Sequence, residues 1–248
     1  MGAMCNEGMS SEKIHLLTDK YKTFDELNLS MRNVGIESMQ CVMGFDFSAS
    51  NGTLHSTLSV NPYMRVIQIL QPVIEKFDDD GEINAYRFGC IQSTDQRVIP
   101  LYGNSDIYKG FDALMESYKA AANSVEQSGP TTFTHTIQKC IELEKSLGGK
   151  QLIVCILITD GGISNEKLDK YWLEEATKYP ISFVGIGVGP GSFGILEKFD
   201  DTVVSEPTLI LTNVYVIIAL ENQITVFMLI ITYSINSAVH FFFTSSFK

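Results

Sequence analysis

Two uninterrupted apolar runs stand out along the chain. Leu152-Ile-Val-Cys-Ile-Leu-Ile158 contains no polar residue, and Cys41-Val-Met-Gly-Phe45 is a shorter version of the same pattern. Such unbroken apolar runs read as parallel strands buried on both faces, and length and β-branching favour strand over helix for the longer one. The long strand, Gln151 to Thr159, ends at Asp160-Gly161-Gly162, and the short one ends at Asp46. Ile181 to Gly187 predicts a third strand, Ile83 to Gly89 a fourth and Val98 to Leu101 a short partner to it.

Between these runs the spacing changes to that of helices. Pro62 suits a first helical turn, and Val66, Ile69, Leu70, Val73, Ile74 and Phe77 form a stripe behind it. Residues 106–125, 133–147, 165–178 and 193–199 also read as helices, and Gly148-Gly149 stops the second of them. Leu16, Tyr21, Phe24, Leu27 and Met31 predict a leading helix or two. Strands alternating with helices predict an α/β, doubly wound, mostly parallel central sheet flanked by helices, with one antiparallel edge strand. In such sheets ligands bind beyond the carboxyl ends of the strands.

Residues 15–207 therefore read as one domain, behind a flexible stretch 1–14. From 208 to 248 the composition shifts to Ile, Leu, Val, Phe and Thr. Three readings of this tail compete: a membrane anchor over 224–243, a last strand or helix from Leu209 to Leu220, or read-through past the domain's coding segment. An exposed tail of this composition would aggregate.

Of the 248 residues 45% are hydrophobic, enough for a sizeable core, so disorder is not expected. A net charge of −11 disfavours nucleic acid and favours cations. The five cysteines, Cys5, Cys41, Cys90, Cys140 and Cys155, are widely spaced and lack a Cys-x-x-Cys. That pattern argues against zinc and against a disulfide framework, and it fits a reducing, cytoplasmic compartment. No signal-peptide h-region precedes residue 20. Gly2 and Cys5 raise N-terminal lipidation, although Asn6 stands where the motif wants Ser or Thr. Membrane contact would come through that N-terminus or the apolar tail.

Three pieces carry candidate chemistry. Asp46-Phe-Ser48-Ala-Ser50 follows a strand, Thr131 lies in the Gly-Pro-Thr turn before a helix, and Asp160 ends the long strand. Each alone is commonplace, and an Asp at a strand end often caps the next helix. Together, in these topological places, they supply carboxylate and hydroxyl oxygens for one hard divalent cation. Few carboxylates among the ligands leave the ion net positive and open to a partner's acidic residue.

The stretches around these residues resemble the copine family's von Willebrand factor A-type domain. The similarity lies in Val42-Met-Gly-Phe-Asp-Phe-Ser-Ala-Ser-Asn-Gly52, Asn61-Pro-Tyr63, Phe77-Asp-Asp-Asp80, Tyr86-Arg-Phe-Gly89, Gly129-Pro-Thr-Thr-Phe133, Ile158-Thr-Asp-Gly161 and Phe199-Asp-Asp201. It is especially close to the copine-like domain of RING-bearing ubiquitin ligases, through Lys22-Thr-Phe-Asp-Glu-Leu27 and Val184-Gly-Ile-Gly187. The resemblance implies a metal ion-dependent adhesion site with ligands Asp46, Ser48, Ser50, Thr131 and Asp160. Ser48 stands where copines usually carry Thr. The implied ion is Mg²⁺ or Mn²⁺, with Ca²⁺ as the larger alternative, and the implied role is non-catalytic protein binding. Copines also carry two C2 domains and the ligases a RING finger; no Cys/His array follows residue 201. A fragment or paralogue of such a ligase is the second reading.

Other motifs carry less. Gly189-Pro-Gly191-Ser-Phe-Gly194 fits G-x-G-x-x-G and raises a nucleotide-binding enzyme, but Pro190 lacks an amide for a phosphate. His55 and His135 read as solvent-facing. Ser48 and Ser50 lack a hydrolase elbow, and Asp78-Asp-Asp80 reads as a solvated turn rather than a calcium loop.

Overall fold

The computed structural model describes residues 38–75, 78, 80–148 and 151–202, and five short strands within 214–244. The leading helices, the N-terminal lipidation sites, Cys5 and Phe77 lie outside the described residues. The sheet contains β1 (Ser38–Asp46), β2 (Glu82–Phe88), β3 (Ile99–Pro100), β4 (Ile107–Lys109), β5 (Gln151–Thr159), β6 (Ile181–Val188) and β7 (Val214–Ala219). The helices are α1 (Pro62–Ile74), α2 (Gly110–Ser124), α3 (Thr134–Leu147), α4 (Glu166–Ala176) and α5 (Gly194–Thr202).

Strand order is β3-β2-β1-β5-β6-β7, with β4 also on β2. The pairs β1–β2, β1–β5, β5–β6 and β6–β7 are parallel, whereas β3 and β4 run antiparallel to β2. The doubly wound, mostly parallel arrangement is the expected one. The chain winds one way from β1 to β2 and the other way from β5 to β7, so the switch in strand order falls between β1 and β5. A crevice opens there beyond the carboxyl ends, flanked by Asp46 and Asp160.

The apolar runs form the centre of this sheet because every residue from Met39 to Asp46 and from Leu152 to Thr159 is buried. Side chains alternate between two cores. Met39, Cys41, Met43 and Phe45 meet α1 and α2 through Ile67, Leu70, Leu114 and Tyr118. On the other face Val42, Cys155 and Leu157 meet α3, α4 and α5 through Ile137, Leu173 and Leu196. Burying side chains of this size contributes about 1.5–3 kcal/mol each. Gly44 sits where α3 comes close: a Cβ there would lie 2.9 Å from Leu157 Cδ2 and 3.3 Å from Thr136 Cγ2. Cys41, Cys90, Cys140 and Cys155 are free and buried, and burial pushes the Cys41 and Cys155 thiols up.

Two departures from the sequence pattern are local. The helix expected from residue 106 starts at Gly110, because Ile107-Tyr-Lys109 alternates exposed, buried, exposed and pairs with β2. Gly110, at φ 77°, makes the corner from strand to helix. In the apolar tail, Val214–Ala219 extends the sheet as a parallel neighbour of β6. Within 224–243 the described pieces are short strands, among them Thr232–Ser234 paired antiparallel with Ser237–Val239. Among the described residues no helix is long and apolar enough to cross a membrane.

Candidate metal centre

The first loop leaves β1 at Asp46, whose side chain is fully buried. Its Oδ1 accepts the Ser48 amide at 2.8 Å, and its Oδ2 accepts the Thr159 hydroxyl at 2.6 Å. Ser48 Oγ lies 2.9 Å from Ser50 Oγ. A short 3-10 turn, Ala49–Asn51, follows at once and folds the loop back. Gly89 makes room for it: at φ 72°, a Cβ there would lie 3.0 Å from Ser48 N and 3.1 Å from Asp46 Oδ1.

The second loop, Ser128 to Phe133, is tied to the first. The Ala49 amide donates to Ser128 O at 2.6 Å, and the Ser128 amide donates to Gly89 O at 3.1 Å. Thr131 is buried beyond the Gly129–Pro130 bond. The third loop follows β5. There the Ser164 hydroxyl accepts the Thr131 amide at 2.9 Å, and the Ser164 amide donates to Thr131 O at 2.7 Å. The three loops are thus joined pairwise: first to second through Ser128, second to third through Ser164, third to first through Thr159.

Asp160 lies 7% exposed at the crevice. A Cβ on Gly162 would sit 3.9 Å from both Asp160 Oδ1 and Ser50 Oγ, so these two oxygens face one space. That space is an open cavity of about 920 Å³, walled by Ser50–Leu54, Asp160–Ile163, Glu166, Pro190–Ser192 and Ile195. Burial pushes the Asp46 carboxyl up to about 7 against the pull of the Thr159 and Ser48 hydrogen bonds, and the Asp160 charge adds to the rise.

The expected site residues Asp46, Ser48, Ser50, Thr131 and Asp160 therefore lie on three interlocked loops at one rim of the sheet. Their donor set is two carboxylates and three hydroxyls, all oxygen, which suits a hard divalent cation. Among the described residues no cluster of three His, Cys, Asp or Glu side chains could hold a metal, so the hydroxyls are essential to any site here.

Several supporting residues were not legible beforehand. His55, expected in solvent, is 2% exposed and stacked between Phe47 and Tyr63 at ring distances of 4.2 and 4.3 Å. Its Nε2 lies 2.8 Å from Asp46 O, and a carbonyl only accepts, so Nε2 carries the proton and Nδ1 accepts from Tyr118 at 2.9 Å. Burial holds this imidazole down at about 4. Asp169 of α4 is fully buried, and its Oδ1 accepts from Thr132 Oγ1, Phe133 N, Thr134 N and Thr134 Oγ1 at 2.5–3.0 Å. That carboxylate caps α3 and fixes the loop carrying Thr131. Asn51 and Tyr63 also bond within the first loop. Thr159 and Asn51 each stand next to a candidate ligand in the sequence, the one signal that could have found them.

The Gly189–Gly194 segment has a packing explanation. A Cβ on Gly191 would collide with Asp160 O, one on Gly161 with Ser192 O, and one on Gly189 would lie 2.6 Å from Leu54 Cδ1. Gly161 and Gly191 let two backbones touch, and Gly189 leaves room for the Leu54 side chain.

The copine family model matches residues 53–218. The chain belongs to the copine family. It is 31% identical over 198 residues to Copine family protein 2 of Caenorhabditis elegans, covering 74% of this chain and 2% of that protein. It is 28% identical over 214 residues to the E3 ubiquitin-protein ligase RGLG5 of Arabidopsis thaliana, covering 77% of this chain and 49% of the ligase. This copine-family chain thus spans less than half of each relative's length. Among solved structures it is similar to the manganese-loaded TRAP protein of Plasmodium vivax, with a TM-score of 0.50 and 14% identity over 74% of this chain and 68% of that one. The copine chain has the von Willebrand A-type fold, a mixed and mostly parallel sheet between helices.

Proposed function

We propose that this chain is a divalent-cation-dependent protein-interaction module, and that Asp46, Ser48, Ser50, Thr131 and Asp160 hold the ion. The observation that carries the reading is the pairwise stitching of three loops, which gathers oxygen donors at the switch in strand order. When bound, the ion supplies a Lewis-acidic point that a partner's carboxylate can complete. Asp46 is the buried anchor, fixed by Ser48 N and Thr159. Asp160 and Ser50 border the cavity and face the incoming partner. The partner is a protein offering an Asp or Glu side chain, and the ion is Mg²⁺ or Mn²⁺, with Ca²⁺ as the alternative. The manganese-loaded Plasmodium vivax TRAP protein, similar in fold, is consistent with this reading.

Isothermal titration of the full chain with Mn²⁺, Mg²⁺ and Ca²⁺ tests it. One saturable site is expected, weakened in both Asp46→Ala and Asp160→Ala and more in the former. Unchanged affinity in both variants would remove the assigned site.

The likeness to RGLG5 favours a second reading, in which the same module selects substrates for a ubiquitin ligase. The metal site then serves the same binding role, and the transfer chemistry belongs to a RING finger. Ubiquitin transfer by the bare chain with an activating and a conjugating enzyme is expected to be undetectable. A cytoplasmic setting with peripheral membrane contact completes the proposal, and fractionation of cells expressing the full chain checks it.

A further inference from the structure

We infer that Asn51, held by Tyr63, is a positioning residue that orients the Ser48 hydroxyl as a metal donor; the inference rests on the metal site proposed above. Asn51 is 2% exposed and Tyr63 fully buried. The Asn51 Nδ2 atom lies 3.3 Å from Ser48 O and 3.1 Å from Ser48 Oγ. A backbone carbonyl cannot donate, so the NH₂ group must face Ser48 and the amide oxygen must face away. On that side Asn51 Oδ1 accepts the Tyr63 hydroxyl at 2.6 Å.

These contacts fix the direction of the Asn51 amide and its Tyr63 bond. Tyr63 has one proton and two acceptors in reach, Asn51 Oδ1 at 2.6 Å and Asp46 O at 3.1 Å. His55 already donates to Asp46 O at 2.8 Å, so the Tyr63 proton goes to the shorter bond. Asn51 then spends one N–H on Ser48 O and the other on Ser48 Oγ. An amide NH₂ only donates, so Ser48 Oγ accepts there, and its own proton is left for a partner such as Ser50 Oγ, 2.9 Å away. With Ser48 as the donor of that bond, Ser48 Oγ keeps a second lone pair, and so does Ser50 Oγ. Without Asn51, Ser48 Oγ is free to rotate, and its proton can point where a cation would sit. Supporting residues that orient metal ligands typically change metal affinity by roughly 10–100-fold.

The sequence context agrees. Asn51 directly follows the Asp-x-Ser-x-Ser segment, and the intervening 3-10 turn returns its side chain to Ser48. Tyr63 comes from the first turn of α1, twelve residues later, so the helix itself braces the loop.

The test is titration of the full-length Asn51→Leu and Tyr63→Phe variants with Mn²⁺ and Ca²⁺, with thermal melts in the absence of metal. Mg²⁺-sized ions demand near-ideal octahedral geometry, whereas Ca²⁺ tolerates distortion. The expected result is a roughly 10–100-fold weaker Mn²⁺ affinity for Asn51→Leu, a smaller loss for Tyr63→Phe, and a smaller loss for Ca²⁺ than for Mn²⁺ in both. A merely structural residue would lower the melting temperature and leave the Mn²⁺ affinity and the Mn²⁺/Ca²⁺ ratio of the folded protein unchanged, and that outcome overturns the inference. Should Asn51→Leu fail to fold, Tyr63→Phe, which only deletes an oxygen, decides by the same ratio. Wild-type chain without saturable Mn²⁺ binding overturns the metal site itself; wild-type binding matched by the variants overturns only the positioning role.

Discussion

Asp46 and Asp160 end neighbouring strands and border one crevice, yet their surroundings differ. Asp46 is wrapped by side chains: Thr159 and Ser48 hold its carboxylate, and His55 holds its carbonyl beneath an aromatic stack. Asp160 has a 3.5 Å bond from the Gly162 amide, and its carbonyl lies against Gly191. The first loop is fixed by directed hydrogen bonds in a dry interior. The third is fixed by backbones pressed together through glycines and by the paired Ser164–Thr131 hydrogen bonds. In the proposed site, a rigid anchor beside a group bordering the cavity would let one ion be held on one side and shared on the other.

Substitutions can break that contrast, and the largest effect belongs to the carboxylates. Asp46→Ala should weaken Mn²⁺ binding beyond the roughly 100-fold that loss of a supporting residue produces, and Asp160→Ala should cost less, as measured by titration. If Asp160→Ala is the more damaging, the anchor has been misassigned. Next comes Gly191→Ala, whose new methyl meets Asp160 O. It should destabilise the fold by about 2–4 kcal/mol in urea denaturation, and a neutral result would show that the third loop is looser than described. Thr159→Val removes the donor to Asp46 Oδ2 at nearly constant volume, and about 1–3 kcal/mol of stability should go with it. Smallest is Ser164→Ala, which unties the Thr131 amide for about 1 kcal/mol; a melting curve of the metal-free chain reads it.

The sequence carried the scaffold well because its signals are local. The apolar runs leading to Asp46 and Asp160 name two central strands and put both carboxylates at the same rim. The order of elements then places Thr131 there too. What it could not carry were contacts between distant segments. His55 sits among Ser, Thr and Asn residues and looks like a loop residue; only the approach of α1 and α2 buries it against Tyr63 and Tyr118. Asp169 reads as a polar position on an amphipathic helix until α3 is packed beside it. Gly191 looks like a turn glycine, whereas its reason is the Asp160 carbonyl thirty-one residues earlier in the chain. Tyr108 shows the opposite failure: a three-residue strand was absorbed into the helix that follows because it is too short to establish a period of its own.

Strand β7 bears on how the protein should be prepared. All eight residues of β6 are buried, and Val214–Ala219 supplies the hydrogen-bonding row along its outer side from Phe183 to Val188. A recombinant product cut after residue 207 would bare that row in a strand without a single charged residue. Such products should self-associate or arrive in inclusion bodies, and any metal titration on them would measure aggregates rather than the site.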